Sequence, residues 1–180
     1  GLSSSAAFEV ATATLLEALS GQELPEREKA LLCYRAEHEF AGVPCGIMDQ
    51  FISVMARHGH MLFIDCHSEE TRHVPFADKD MALLVVDSGV AHELARGSLA
   101  RRRSECEMAA RELGAASLRE VSRAALEAAE PRLDPVLFRR ARHVLSENER
   151  TLAAAVALEQ GDWPGLGRLL AEGHISQRDS

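Results

Sequence analysis

The sequence lacks a continuous run of about 18 apolar residues, and no charged, then apolar, then small-residue leader opens it. Those absences exclude a membrane-spanning helix and a secretory signal within these residues. It also lacks an excess of positive charge. With 20 Lys and Arg against 28 Asp and Glu the net charge is -8, which argues against nucleic acid as a partner, because phosphate contacts need a basic surface to release counterions. The four cysteines, Cys33, Cys45, Cys66 and Cys106, form no C-x-x-C pair, so neither a disulfide scaffold nor a redox motif is indicated. None of the eight histidines falls in H-x-x-x-H spacing with a third ligand, which makes a structural zinc site improbable. A Gly-Lys-Ser/Thr nucleotide loop and G-x-G-x-x-G are missing as well. No Ser–His–Asp constellation can be assigned from residue order, since such triads are defined by geometry. These exclusions leave a cytoplasmic, reduced, globular protein.

What is present is a chain of 180 residues with 46% hydrophobic content, enough for one sizeable domain or two small ones. Helical spacing runs from Ser5 to Leu19 and is stopped by Gly21. A second helix is predicted from Pro25 to Phe40, with Leu32, Cys33, Ala36 and Phe40 on one face. Gly42-Val43-Pro44-Cys45-Gly46 breaks it from a third, Ile47 to Ala56. The texture then changes: 61–64 and 71–74 read as a hairpin around Ser68-Glu69-Glu70, and the near-continuous apolar run Met81 to Val86 reads as a strand covered on both faces. Beyond it, one helix is expected from Leu94 to Leu113, a long one starts at Asp134-Pro135, and a short one follows Asp162-Trp163-Pro164. The polar stretch 78–80 marks the best domain boundary. Gly1 is no start codon and the chain stops straight after a helical pattern, so the sequence reads as a fragment.

Two segments could carry chemistry. Glycine and serines just before a helix expose backbone N–H groups at the positive end of the helix dipole, which suits a phosphate; the plainer reading is a serine N-cap. Asp49 is a carboxylate in an apolar neighbourhood after a glycine-containing break and could act as a base, or could simply favour the first turn of the following helix. Glu37, His38 and Glu39 are adjacent and point to different sides of their helix, so one or two at most can serve a common site.

Read together, these pieces resemble the galactokinase branch of the GHMP small-molecule kinases. Gly1-Leu2-Ser3-Ser4-Ser5-Ala6-Ala7 is similar to the superfamily's phosphate-binding motif, without the Pro-x-Gly-x stretch that normally precedes it. The specific match is 37–51, Glu37-His38-Glu39-Phe40-Ala41-Gly42-Val43-Pro44-Cys45-Gly46-Ile47-Met48-Asp49-Gln50-Phe51, and further similarity lies in 86–94, 101–107 and 139–150. The resemblance implies an α+β fold: residues 1–78 as part of an N-terminal domain like ribosomal protein S5 domain 2, and 79–180 as part of a ferredoxin-like, helical C-terminal domain, both incomplete, with substrates between them.

It further implies transfer of the γ-phosphoryl group of ATP to the anomeric hydroxyl of galactose. In that reading Asp49 is the catalytic base and Gly46 approaches the sugar through its backbone. Ser5 and Glu37 hold Mg2+, and Gly1, Leu2, Ser3, Ser4, Ser5, Ala6 and Ala7 cradle the ATP phosphates. The partners are galactose and ATP, with no nucleic acid and no membrane, and the protein is a monomer. Three features of the family are not in this chain: its early arginine and Gly-Glu-His-Thr-Asp-Tyr segment, its late glycine-rich motif, and a tyrosine that often contacts the sugar, where Leu99 stands. The chain alone is therefore expected to be inactive. The alternatives are a kinase for a related sugar such as N-acetylgalactosamine, a non-catalytic galactose and ATP sensor, or a folded remnant without activity.

Overall fold

A computed structural model describes residues 2–43, 45–76, 81–87, 89 and 93–180, the side chains of 93–99 excepted. The chain separates into two compact units, Gly1–Ala77 and Asp78–Ser180.

In the first unit α1 spans Ser4–Ser20 and ends where Gly21 takes φ 69°, the left-handed conformation that a helix C-terminus uses and glycine accepts without a Cβ penalty. The second helix, α2, covers Glu26–Arg35 and not the whole of Pro25 to Phe40. Its continuation, Ala36–Phe40, winds as a single π-turn. The expected apolar face is not buried as one: Cys33 is buried, whereas Leu32, within the regular helix, is exposed, and Phe40, on the π-turn whose wider winding rotates side chains out of the α-helical register, is 90% exposed. The third helix, α3, covers Met48–Met55, and Phe51 and Met55 pack with Ala30 against Leu31, Ile47, Val54, Leu62 and Ile64. Phe51 is fully buried, and truncating such a ring to alanine costs about 3–5 kcal/mol.

The hairpin forms where the two strand-like segments and the polar turn between them predict it. Strand β1, His60–Asp65, pairs antiparallel with β2, Glu70–Pro75, in the register Ile64 to Thr71 and Met61 to Val74. Asp65 organises the turn by accepting the backbone N–H groups of His67 at 2.9 Å and Ser68 at 3.3 Å, and Glu69 supplies the left-handed residue at φ 60°.

The expected strand from Met81 to Val86 is not formed: residues 81–87 have no regular structure, and Leu84 is 88% exposed. An apolar run becomes a strand only with a ladder partner, and among the described residues the sole sheet is the two-stranded hairpin.

Among its described residues the second unit is helical. It comprises α4, Glu93–Glu112, a 3-10 turn at Leu118–Glu120, α5, Arg123–Ala129, α6, Pro135–Gln160, and α7, Trp163–Asp179. Asp134 caps α6 by accepting the N–H of Val136 at 2.7 Å, with Pro135 in the first turn, as the sequence signal predicts. The last helix is not short but 17 residues long, its cap being Asp162 on the N–H of Gly165 at 2.9 Å. Leu118, Leu126, Leu133, Leu137, Phe138, Ala141 and Leu145 form the core around α6.

A buried acid joins two of these helices. Glu105 accepts from Arg140 at 2.6 Å and from Arg101 at 2.8 Å, and these guanidinium groups hold its carboxyl below the usual range. A depressed carboxylate stabilises the fold above its unfolded pKa, and the contribution is lost as pH falls through the lowered folded value. No helix among the described residues is long and apolar enough to cross a membrane.

Candidate active site

The site is assembled in the first unit from the N-terminus of α1, the π-turn and the N-terminus of α3. Ser3 occupies the N-cap position of α1, but it does not cap: its backbone is left-handed at φ 52° and ψ 37°, and its side chain makes no bond to the helix N–H groups. The hydroxyl instead donates to Asp49 Oδ1 at 2.8 Å. A non-glycine residue in that region is strained, and such strain is concentrated at functional positions. The serine hydroxyl is thus not spent on the first turn of α1, whose positive dipole end favours an anion.

Asp49 is half-buried in the first turn of α3. That placement is favourable for a negative charge, yet its carboxylate is engaged by Ser3, and Ile47 at the N-cap makes no side-chain bond. Gly46, just upstream, is exposed, and a Cβ built on it would meet nothing within 4 Å. Packing inside the chain therefore does not require glycine there.

Glu37 lies on the π-turn and is buried to 8% exposure. Its Oε1 accepts the hydroxyl of Ser5 at 2.7 Å and its Oε2 accepts the side-chain amide of Gln50 at 2.6 Å. Cys45 is a further hydrogen-bonding neighbour; burial pushes its thiol pKa up, and the Glu37 charge adds to that, so the thiol stays protonated as a donor. His38 turns the other way, stacked on Tyr34 with ring centroids 5.4 Å apart. Of the three adjacent polar residues, Glu37 is the one that enters the site.

Two serines, two residues apart at the start of one helix, are thus each tied to a different acid: Ser3 to Asp49 and Ser5 to Glu37. The Ser5–Glu37 pair fits a magnesium ion. In an octahedral shell of about 2.0–2.1 Å, adjacent oxygens lie about 2.9 Å apart, close to the 2.7 Å separating these two. Among the described residues no group of three or more His, Cys, Asp or Glu converges as a metal cage. Magnesium needs none, since it is commonly held by one or two carboxylates together with substrate phosphates.

Leu2, Ser4, Ala6 and Ala7 follow the same helix start, with Ala6 fully buried and Leu2 exposed. Gly1 lies outside the described residues. Leu99 falls on α4 in the second unit, and its side chain is likewise outside them. Sequence reasoning gave no role to Gln50 or Glu9. The available signal was a polar residue, Gln50, flanking Phe51 on the buried side of α3.

Residues 1–57 match the family described as GHMP kinases N terminal domain. The matched stretch lies within the first unit. Over 179 residues, 99% of the chain, it is 51% identical to the galactokinase of Homo sapiens and 50% identical to that of Bos taurus, covering 46% of each relative. The fold matches that of Lactococcus lactis galactokinase, solved in complex with galactose, with a TM-score of 0.81 and 26% identity over 98% of this chain and 47% of that one. Along nearly all of its length the chain is similar to these galactokinases, and it spans about half the length of the curated relatives it matches.

Proposed function

We propose that this chain is the central portion of a galactokinase, which moves the γ-phosphoryl group of ATP to the anomeric hydroxyl of galactose. The observation that carries the proposal is the pairing of Ser3 with Asp49 and of Ser5 with Glu37 at the start of one helix. In this reading residues 1–78 belong to the N-terminal domain and 79–180 to the C-terminal domain of a cytoplasmic, monomeric enzyme.

Phosphoryl transfer depends mainly on positioning and on stabilising the charge of the transferred group. The segment from Gly1 to Ala7 cradles the phosphates at the positive end of α1. Ser5 and Glu37 hold Mg2+, which when bound neutralises phosphate charge. Asp49 takes the proton from the sugar hydroxyl, and the Ser3 hydroxyl fixes the orientation of its carboxylate. Gly46 leaves room for the sugar to approach the backbone.

The proposal is tested on the longest natural polypeptide that contains these residues, assayed with MgATP and either galactose or N-acetylgalactosamine. Galactose 1-phosphate is the expected product. A preference for the amino sugar would favour the related kinase, and binding of ligands without turnover would favour a sensor. The 180 residues alone are expected to give no measurable product. About half of the length of the relatives is not represented, and losing preorganised groups costs orders of magnitude in rate.

Leu99 gives a second expectation. Leu99→Tyr restores a hydroxyl that often reaches the sugar in the family, and one neutral hydrogen bond is worth about 0.5–1.5 kcal/mol. The Michaelis constant for galactose should fall several-fold. An unchanged or higher constant would show that the pocket has repacked around leucine.

A further inference from the structure

The role of Glu37 as a cation ligand says nothing of what holds that carboxylate in place. We propose that Gln50 is the positioning residue of the cation site, anchoring one Glu37 oxygen so that the other stays beside Ser5. The inference rests on the MgATP reading above.

Gln50 is fully buried on α3. Its Nε2 donates to Glu37 Oε2 at 2.6 Å and to Glu9 Oε2 at 3.2 Å, while its Oε1 is buried with no partner among the described residues. Both neighbours are carboxylates, which accept, so the nitrogen must be the end that faces them. A buried acceptor without a partner is destabilising. An apolar side chain of similar shape would pack without that cost. What the amide supplies, and an apolar residue cannot, is a two-proton donor between two acids.

The geometry makes that donor directional. Ser5 and Glu9 are four residues apart on α1 and therefore share one face of the helix. Gln50 ties Glu9, on that face, to Oε2 of Glu37, and Ser5 on the same face takes Oε1. Glu37 itself rises from a π-turn, where the backbone does not impose α-helical side-chain directions. Its position is set by these outside partners. Burial raises the Glu9 pKa, the Gln50 donor opposes the rise, and the charge of Glu37 adds to it, as expected of two acids sharing one amide. Asp49 and Gln50 are consecutive on α3, so one short helix fixes both acids of the site, the first as its own side chain and the second through the amide.

The test replaces the amide without emptying its place: Gln50→Met in the longest natural polypeptide, with ATP binding followed by calorimetry as Mg2+ is titrated. Loss of a partner that orients a metal ligand weakens metal affinity about 10–100-fold. The Mg2+ concentration for half-maximal ATP binding should rise about tenfold or more, while the Michaelis constant for galactose stays within about twofold. The thermal midpoint should fall only modestly, because removal of the orphaned Oε1 partly offsets the loss of the donor to the buried Glu37 carboxylate.

Gln50→Leu serves if the methionine variant does not fold. An unchanged Mg2+ requirement in a folded variant overturns the inference, as does failure of both variants to fold, since the amide would then be a folding requirement. Glu37→Gln separates this inference from the functional reading. If Glu37→Gln raises the Mg2+ requirement and Gln50→Met does not, only the positioning role fails. If neither raises it, the cation site itself is wrongly placed.

Discussion

Asp49→Asn in the longest natural polypeptide is expected to lower kcat by about a hundredfold or more, with the affinity for ATP nearly unchanged. The substitution preserves size, and the asparagine carbonyl can still accept the hydroxyl of Ser3, so the contact between α1 and α3 survives. What disappears is the ability to accept a proton. Asp49 also lies in the first turn of α3, where losing a negative charge costs about 0.3–1 kcal/mol. The two roles therefore have separate readouts. A catalytic base gives a large loss of turnover with a small change in stability. A residue serving only the helix dipole gives the same small change in stability with turnover near normal, and that result would remove Asp49 from the mechanism.

Glu37→Gln should raise the Mg2+ requirement for ATP binding by at least the roughly 10–100-fold that follows loss of a group orienting a metal ligand. A neutral amide oxygen is a poorer ligand for a hard dication than a carboxylate. Ser5→Ala should act in the same direction but less strongly, since a hydroxyl contributes no formal charge. With Ser5 Oγ and Glu37 Oε1 in direct contact at 2.7 Å, the two effects should overlap and not add. The double variant should therefore resemble Glu37→Gln alone. Full additivity would place the two side chains in separate roles, and an unaltered Mg2+ requirement in both single variants would move the ion elsewhere.

Local signals in the sequence carried much of the fold. Gly21 and Gly114 stand just past the ends of α1 and α4, Asp134-Pro135 opens α6, and two strand-like segments around a polar turn give the hairpin, because capping, φ freedom and turn chemistry act over a few residues. The run from Met81 to Val86 misled, since its apolar character is read locally whereas a strand exists only through a partner. The faces of α1 and α2 were illegible for a related reason. Leu15 and Leu19 continue the apolar pattern of α1 and yet are exposed, because periodicity says which residues are alike and not which face finds a neighbour.

For the site, the sequence by itself determined which chemistry is available: serines at a helix start, an acid in 37–51, a second acid after a glycine, and the family that this string resembles. Only the tertiary structure decided the pairing. Ser3 meets Asp49 across 46 positions and Ser5 meets Glu37 across 32, separations at which no residue spacing predicts contact. It also turned Ser3 from a helix cap into a partner of the acid through one left-handed backbone conformation, and brought Gln50 between Glu9 and Glu37. The physical reason is range. Helix caps and turns are settled by neighbours in the chain, whereas a hydrogen bond between distant residues is settled by how α1 and α2 pack against α3.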